Sequence, residues 1–324
     1  MLGQAAAYTV ATGPARIKGG AMTGGGGSFQ GIYPILYAFF DAAGGLDREA
    51  MRRQAEACVR GGAHGVAALG LATEVGKLSL PERHAVMAWL LEDVAGRLPV
   101  AITVYGETPQ AQIGFVREAA ALGAAWVILQ PPPARPLAET DLVRFFGTVA
   151  DASPIPVAIQ NAPQYLGVGL SDAGLLELRR QHPNVVLLKG EGSALEVART
   201  IERLGGELAV FNGRGGLELP DCLRAGCPGL IPAPECFDVQ VRILEAMRRG
   251  EEDEAERLYR EILPLIVFLM QSVDQFLCYG KRIAARRLGL GEVFDREPCQ
   301  RPTPLGLRIA AARSAALPLF RLGG

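Results

Sequence analysis

Lys189 is the residue of this 324-residue chain whose type and position most directly suggest chemistry. It follows the apolar run at residues 185–188, and only four of the 33 basic residues are lysines. Burial at the end of an apolar strand disfavours the charged ammonium, and a neutral amine can attack a ketone to form an imine. The position is equally compatible with a structural lysine whose ammonium pairs with Glu191 or reaches solvent. Position alone therefore leaves catalysis open.

Other polar side chains also follow apolar runs directly, as Lys189 does. They are Thr73, Glu74, Tyr105, Gln130, Gln160, Asn161, Glu191, Asn212 and Arg214. Parallel strands that alternate with helices bring such positions to one end of a barrel, where active sites form. The chain therefore predicts one polar site built from several strand ends.

Eight short apolar runs alternate with amphipathic segments in the middle of the chain. We interpret the runs as strands at residues 31–39, 65–69, 100–104, 125–129, 156–159, 185–188, 208–211 and 229–231. Between them, segments such as 47–60 and 81–95 repeat apolar residues every three or four positions, as helices do. Eight such units in about 200 residues predict a closed (β/α)8 TIM barrel. No G-x-G-x-x-G turn follows the first strand, as an open dinucleotide-binding sheet would require.

The chain continues on both sides of this barrel core, which we place at residues 31–237. Residues 1–30 are rich in glycine and alanine and predict a flexible arm. Met22 is an alternative start of the protein, and residues 1–21 would then lie outside the native chain. Residues 238–324 predict the last barrel helix and a C-terminal helical extension. Its helical pattern runs from Asp238 to Ala316, punctuated by prolines such as Pro264 and Pro298.

Composition and charge exclude several classes of function. Lysine plus arginine (33) nearly balance aspartate plus glutamate (34), so no basic excess predicts binding to nucleic acid or to a membrane surface. The longest apolar runs are shorter than the roughly 20 residues of a membrane-spanning helix, and the N-terminal residues lack a signal-peptide core. Six cysteines and three histidines show no metal-ligand spacing. We therefore expect a cytoplasmic protein without a metal.

Four segments give the chain a resemblance to a known family. Gly31-Ile32-Tyr33-Pro34 is similar to that family's opening strand, Gly70-Leu71-Ala72-Thr73-Glu74 to its Gly-Thr-Thr-Gly-Glu loop, Gln160-Asn161-Ala162-Pro163 to its Tyr-Asn-x-Pro turn, and Leu188-Lys189-Gly190-Glu191 to its lysine-bearing strand. From residue 31 to about residue 291, the chain resembles the dihydrodipicolinate synthase and N-acetylneuraminate lyase family.

The resemblance implies a fold, a mechanism and an assembly. Family members are TIM barrels that form an imine between a sixth-strand lysine, here Lys189, and a small 2-keto acid without a cofactor. The loop at Ala72 and Thr73 would hold the substrate carboxylate through backbone amides. We assign six further positions to substrate binding: Tyr105, Asn161, Glu191, Asn212, Gly213 and Arg214. A plain turn remains an alternative for Arg214, and orienting Lys189 remains one for Glu191. A homo-oligomer built as a dimer of dimers is also implied.

Departures from the family pattern concern the proton relay. The two tyrosines and the threonine that relay protons in the synthases correspond to Gln160, Pro133 and Leu71, and the arginine that grips the second substrate corresponds to Tyr165. A subgroup that dehydrates 2-keto-3-deoxy sugar acids is similar in having Gln-Asp-Ala-Pro and Ser-Glu at the matching places. The departures therefore argue against dihydrodipicolinate synthesis.

These patterns together predict a Schiff-base lyase that dehydrates or cleaves a 2-keto-3-deoxy sugar acid. Lys189 is the expected nucleophile, Glu74 the expected acid-base group, and Gln160 the residue that holds a catalytic water together with Thr73. Two alternatives remain: a dihydrodipicolinate synthase that condenses pyruvate with aspartate semialdehyde, and a degenerate barrel that binds a keto acid without turning it over.

Overall fold

Eight parallel strands form the centre of the protein, described by a computed structural model of residues 29–133 and 137–321. The strands are β1 (Gly31–Ile32), β2 (Val66–Ala68), β3 (Val100–Val104), β4 (Trp126–Leu129), β5 (Val157–Asn161), β6 (Val185–Gly190), β7 (Ala209–Asn212) and β8 (Gly229–Leu230). They pair in the order β1-β8-β7-β6-β5-β4-β3-β2. Of the predicted arm, residues 1–28 lie outside the described part of the chain.

The sheet closes between its first and second strands. Ile35 forms a parallel bridge to Ala67 of β2, and the N–H of Leu36 donates to the carbonyl of Ala67 at 2.9 Å. The strand predicted at residues 31–39 is shorter than expected because Pro34 has no N–H to donate to this ladder. The fold is a (β/α)8 TIM barrel, which confirms the prediction.

Helices fill the connections between strands. They are α1 (Arg48–Arg60), α2 (Leu80–Val94), α3 (Pro109–Ala121), α4 (Glu139–Asp151), α5 (Pro163–Leu166), α6 (Asp172–Gln181), α7 (Ala194–Leu204), α8 (Leu219–Arg224) and α9 (Phe237–Arg248). Ser79 and Ser193 each begin a helix with a capping box, in which the serine hydroxyl accepts a backbone N–H and a glutamate three residues later accepts the serine N–H. These local signals fix where the two helices begin and so limit the loops that carry the polar residues after β2 and β6.

The C-terminal extension is helical only in part. It comprises α10 (Glu252–Leu269), α11 (Val273–Gln275), one π-helical turn (Phe276–Gly280), α12 (Lys281–Arg287) and α13 (Pro304–Ser314). The prediction of a helical pattern through residues 288–303 was wrong, since that segment contains Pro298 and Pro302 and forms no helix. Pro264, expected as a break, lies inside α10, where the buried Ile262 before the proline and the buried Leu265 after it anchor the helix to the core.

Three observations concern membrane-spanning helices, thiols and metal sites. Among the described residues, no single helix is long and apolar enough to cross a membrane, and α10 with the segment 273–287 meets that test only as a pair bent by 114°. All six cysteines are free thiols, and five of them are buried. Within the same residues, no group of three or more histidine, cysteine, aspartate or glutamate side chains is arranged to hold a metal ion.

Candidate active site

Lys189 lies on the inner face of β6, at the carboxyl end of the barrel. Its strand pairs with β5 so that Lys189 stands directly beside Gln160. The Lys189 Nζ donates to Gln160 Oε1 and to Glu191 Oε1, each at 3.0 Å. The three side chains are buried, with 4% of Lys189 exposed. The structure thus brings together two of the predicted catalytic residues and one residue predicted to bind substrate.

Glu191 is the carboxylate of this group, and both of its oxygens are occupied. Oε1 also accepts a hydrogen bond from Gln160 Nε2 at 3.2 Å, and Oε2 accepts the backbone N–H of Arg214 at 2.7 Å. A Cβ on Gly213 would lie 2.1 Å from Glu191 Oε1, so glycine is required for this close approach. Gly213 and Arg214 therefore position the carboxylate that contacts Lys189.

Thr73 uses its side chain to hold the β2 loop. The buried hydroxyl accepts the N–H of Leu69 at 2.9 Å and donates to the carbonyl of Leu36 at 2.6 Å. No side chain or carbonyl among the described residues accepts a hydrogen bond from the backbone N–H groups of residues 70–73. Consecutive free N–H groups in a tight loop form an anion-binding concavity. The geometry supports the predicted carboxylate site at the backbone of Ala72 and Thr73, while the Thr73 hydroxyl has a structural function.

Glu74 lies outside the Lys189 group. Its left-handed backbone, with φ of 55°, turns the chain after the loop. Its Oε2 pairs with Lys77 Nζ at 2.5 Å, and its Oε1 pairs with Lys281 Nζ. Glu74 and Lys281 are both buried. The assignment of Glu74 as the acid-base group stays a prediction, and the carboxylate that touches Lys189 is instead Glu191.

Asn161 and Asn212 use their side chains to hold loops. The Asn161 amide donates to the carbonyl of Leu170 at 2.8 Å and accepts the N–H of Leu170 at 2.9 Å. The Asn212 amide donates to the carbonyl of Gly192 at 3.1 Å. These contacts shape the mouth of the barrel without directing either amide nitrogen to Lys189. Substrate contact by the two asparagines therefore stays a prediction.

Tyr105 and Arg214 also have protein partners. The guanidinium of Arg83 lies over the Tyr105 ring, 4.4 Å from its centroid. The guanidinium of Arg214 donates to Glu218 at 2.9 Å. Arg214 borders a cavity of about 520 Å³, which also touches Glu191 and extends along α7 past Leu188 and Val210. Leu188 alternates with Lys189 along β6, and Val210 of β7 pairs with Leu188, so both face away from the barrel interior and the cavity lies outside the barrel wall. Glu191, just after β6, borders this cavity and also contacts Lys189 inside the barrel.

Sequence reasoning missed a second buried polar group at the mouth. The Tyr37 hydroxyl, after β1, donates to Glu235 Oε2 at 2.9 Å. Burial raises the pKa of the Glu235 carboxyl and, with the nearby charge of Glu235, raises the pKa of Tyr37 well above its ordinary value. The only sequence signal for this group was that Glu235 is a polar residue after the eighth strand, because Tyr37 lay within the predicted first strand. The Lys281 partner of Glu74 gave no signal either, because it lies in the extension.

Comparisons with known proteins match this barrel and its lysine-bearing strand to one family. The model of the Dihydrodipicolinate synthetase family matches residues 28–302. The chain belongs to this family. A prophage protein of E. coli K12 from the dihydrodipicolinic acid synthase family, solved in complex with pyruvate, superposes with a TM-score of 0.81 at 23% identity, covering 90% of this chain and 100% of that one. That likeness supports the barrel fold.

Curated relatives in the dihydrodipicolinate synthetase family have two different enzyme names. L-2-keto-3-deoxyarabonate dehydratase from Azospirillum brasilense is 31% identical over 243 residues, which cover 73% of this chain and 78% of the relative. A 4-hydroxy-tetrahydrodipicolinate synthase from Thermus thermophilus is 36% identical over 212 residues, covering 63% and 69%. The chain is therefore an enzyme of the lyase kind, and the relatives' names leave its reaction open.

Proposed function

We propose that Lys189 forms an imine with a 2-keto acid and that the enzyme dehydrates a 2-keto-3-deoxy sugar acid. The observation that carries this proposal is the position of Lys189 Nζ, buried on the inner face of β6 and held at 3.0 Å from both Gln160 and Glu191. A lysine amine can act as a nucleophile only after it gives up a proton, and Glu191 is placed to accept one.

The reaction can be written around these groups without a cofactor. Lys189 Nζ attacks C2, and the keto oxygen leaves as water to give the protonated imine. A proton leaves C3, the electron pair moves toward the imine nitrogen, and the resulting enamine expels the C4 hydroxyl, which takes up a proton and leaves as a second water. The conjugated imine then loses a proton from C5, and proton uptake at C3 and C4 converts the resulting dienol into the C5 aldehyde. Water finally hydrolyses the imine, which frees Lys189 and the keto acid semialdehyde, so that one water is lost overall. We assign the proton transfers near Nζ to Glu191, because it is the carboxylate in contact with the lysine.

The side chains around Lys189 favour dehydration over the condensation of pyruvate with aspartate semialdehyde. Gln160 stands where the synthases have a relay tyrosine, and its amide contacts both Lys189 and Glu191 instead of presenting a hydroxyl. The relay positions at Leu71 and Pro133 also lack hydroxyls. The dehydratase of Azospirillum brasilense adds support, while the Thermus thermophilus synthase keeps condensation as the second candidate.

Borohydride trapping tests imine formation. Incubation of the wild type with pyruvate and borohydride should add a reduced adduct to the peptide that contains Lys189, as read by mass spectrometry. A Lys189→Ala variant should gain none. A wild type that stays unmodified would remove the imine proposal and leave a barrel that binds a keto acid without turning it over.

Product analysis tests the choice of reaction. With 2-keto-3-deoxyarabonate, we expect a dehydrated keto acid semialdehyde, whereas pyruvate plus an aldehyde would identify an aldolase. Condensation of pyruvate with aspartate semialdehyde at a comparable rate would contradict the argument from the missing hydroxyls. The proton relay would then have to use Tyr105 and bound water.

We also propose that the chain assembles as a homo-oligomer, built as a dimer of dimers. Large apolar side chains on several helices are more than half exposed in the single chain, among them Leu80, Leu195 and Leu305. Such side chains are available to be covered by another copy. Light scattering at micromolar concentration should return the mass of four copies of the 34.4 kDa chain. A mass close to the monomer would contradict this proposal.

A further inference from the structure

Toward the carboxyl ends of β3 and β4, two buried polar atoms on the inner wall of the barrel lack hydrogen-bond partners among the described residues. They are the hydroxyl of Thr103 on β3 and the side-chain Nε2 of Gln130, which follows β4. Each residue is 1% exposed. A buried donor without a partner costs free energy of folding, so such a group in a barrel mouth indicates a ligand that it is placed to bind.

Both side chains point to the inside of the barrel. Thr103 alternates along β3 with Ala101, and Gln130 alternates along β4 with Ile128, and these neighbours belong to the inner core. Leu129 pairs with Ile159, which puts Gln130 level with Gln160, and Gln160 pairs with Lys189. A row of polar side chains therefore runs along the inner wall from Lys189 toward β3.

The other end of this row lies under the β2 loop. A Cβ on Gly70 would lie 3.4 Å from the Thr103 hydroxyl, so Thr103 lies next to the first residue of the loop. Residues 70–73 offer backbone N–H groups that have no acceptor among the described residues. The Thr103 hydroxyl and the N–H groups of the loop thus lie together, and Gln130 on the next strand lies along the inner wall between Thr103 and Gln160.

We infer that Thr103 and Gln130 bind the carboxylate of the 2-keto acid together with the amides of the β2 loop, an inference that rests on the proposed imine at Lys189. Neutral O–H and N–H donors in a dry site suit a carboxylate, because hydrogen bonds to a charged group are stronger than neutral ones. The loop itself supplies no side-chain donor, since Leu71 and Ala72 are apolar and the Thr73 hydroxyl already donates to Leu36. Thr103 and Gln130 supply the side-chain donors that the loop lacks.

The test compares two ketones in the trapping reaction. Pyruvate carries the carboxylate and hydroxyacetone does not, and both form an imine that borohydride reduces. In Thr103→Val and in Gln130→Leu, the half-saturating concentration of pyruvate should rise about 10- to 100-fold, the effect of losing one hydrogen bond to a charged group. Trapping of hydroxyacetone should stay as in the wild type. Thr103→Ser keeps the hydroxyl and should restore pyruvate binding, and Thr148→Val on the exposed face of α4 is the matched control.

Thermal unfolding measurements distinguish a loss of pyruvate binding from a loss of folding in these variants. Thr103→Val removes an unpartnered buried hydroxyl at nearly constant shape, so its Tm should stay the same or rise while pyruvate binding falls. Equal losses with both ketones in a folded variant would overturn the inference, because the residues would then act on Lys189 and not on the carboxylate. Unchanged pyruvate binding in both variants would also overturn it, while leaving the imine proposal intact. A wild type that forms no adduct with either ketone overturns both.

Discussion

Two buried lysines lie in charged groups on opposite sides of the barrel mouth. Lys189 ends β6 and contacts Gln160 and Glu191. Lys281 comes from α12 in the extension and contacts Glu74, which follows β2, four strands away from β6 around the closed barrel. Burial and a carboxylate partner are therefore common to both lysines. They do not by themselves distinguish a nucleophile from a structural cation.

The surroundings of the two ammonium groups differ. Glu74 binds two lysines, Lys281 and Lys77, and the Lys281 ammonium also lies 5.2 Å from the centroid of the Phe40 ring. Lys281 therefore links the extension to the β2 loop. Glu191 binds one ammonium and two neutral donors, so the Lys189 group has a single cation that a proton transfer would neutralise. The difference suggests that one group serves chemistry and the other serves stability.

The largest expected effect is on the covalent adduct with pyruvate, which distinguishes Lys189 from Lys281. Lys189→Ala should abolish the reduced pyruvate adduct completely, because within residues 29–133 and 137–321 no other lysine lies at the carboxyl end of a barrel strand. Lys281→Met, the matched removal of a buried lysine, should retain the adduct on Lys189 as long as the protein is folded. Mass spectrometry of the digested protein reads both results. An adduct on the peptide that contains Lys281 would reverse the assignment.

Part of this contrast could be predicted from the sequence. The position of Lys189 after a short apolar run is a local pattern, and strand ends follow from such patterns. The contact with Gln160 depends on the register between β5 and β6, which includes an irregularity between Val157 and Ala158 that no local pattern indicates. The partner of Glu74 lies 207 residues along the chain, and only the packing of the extension brings Lys281 to it.

The two carboxylates provide the next test. Glu191→Gln should lower kcat by about 10²- to 10⁴-fold, the usual range for removing an acid-base group, while the amide keeps the shape of the side chain. Glu74→Gln should leave the turnover of the folded fraction much less affected, because its oxygens bind lysines of the structural group. Steady-state kinetics with the fraction folded measured in parallel distinguish the two. A larger kcat loss in Glu74→Gln would restore Glu74 as the acid-base residue.

The free energy of unfolding should depend more on Glu74 than on Glu191, which is the opposite order to kcat. Glu74→Gln leaves the buried Lys281 ammonium with only the more distant Asp295 carboxylate, 3.9 Å away, and breaking a buried ion pair costs about 3–5 kcal/mol in the free energy of unfolding. Lys281→Met should cost less, because Glu74 keeps Lys77 as a partner. Urea unfolding of both variants and of the double variant measures the coupling between them. Additive effects would show that the pair does not hold the extension to the barrel.

The smallest expected effect is the pH dependence of stability caused by Glu235. This carboxyl accepts the hydrogen bond of Tyr37, and the charge of Glu74 also acts on Tyr37. Burial raises the pKa of the Glu235 carboxyl above the 4.5 of an unperturbed glutamate. As the pH rises above 4.5, the unfolded chain therefore loses the proton from Glu235 while the folded protein keeps it. This difference lowers the free energy of unfolding until the folded-state pKa is passed. The wild type should accordingly lose stability relative to Glu235→Gln as the pH rises through that window.

Glu82 provides a control of opposite sign for this pH dependence. Hydrogen bonds from Arg296 and Ser79 lower the pKa of Glu82 to about 2, so the folded protein releases this proton before the unfolded chain does. The wild type should therefore gain stability relative to Glu82→Gln as the pH rises from about 2 to 4.5 and should then show a constant difference. Chemical denaturation of both variants and the wild type between pH 3 and 7, in roughly half-unit steps, measures the two slopes. If the Glu235 difference rose with pH like that of Glu82, the folded protein would stabilise the ionised Glu235 carboxylate, as the nearby guanidinium of Arg287 in α12 would do if it outweighed burial.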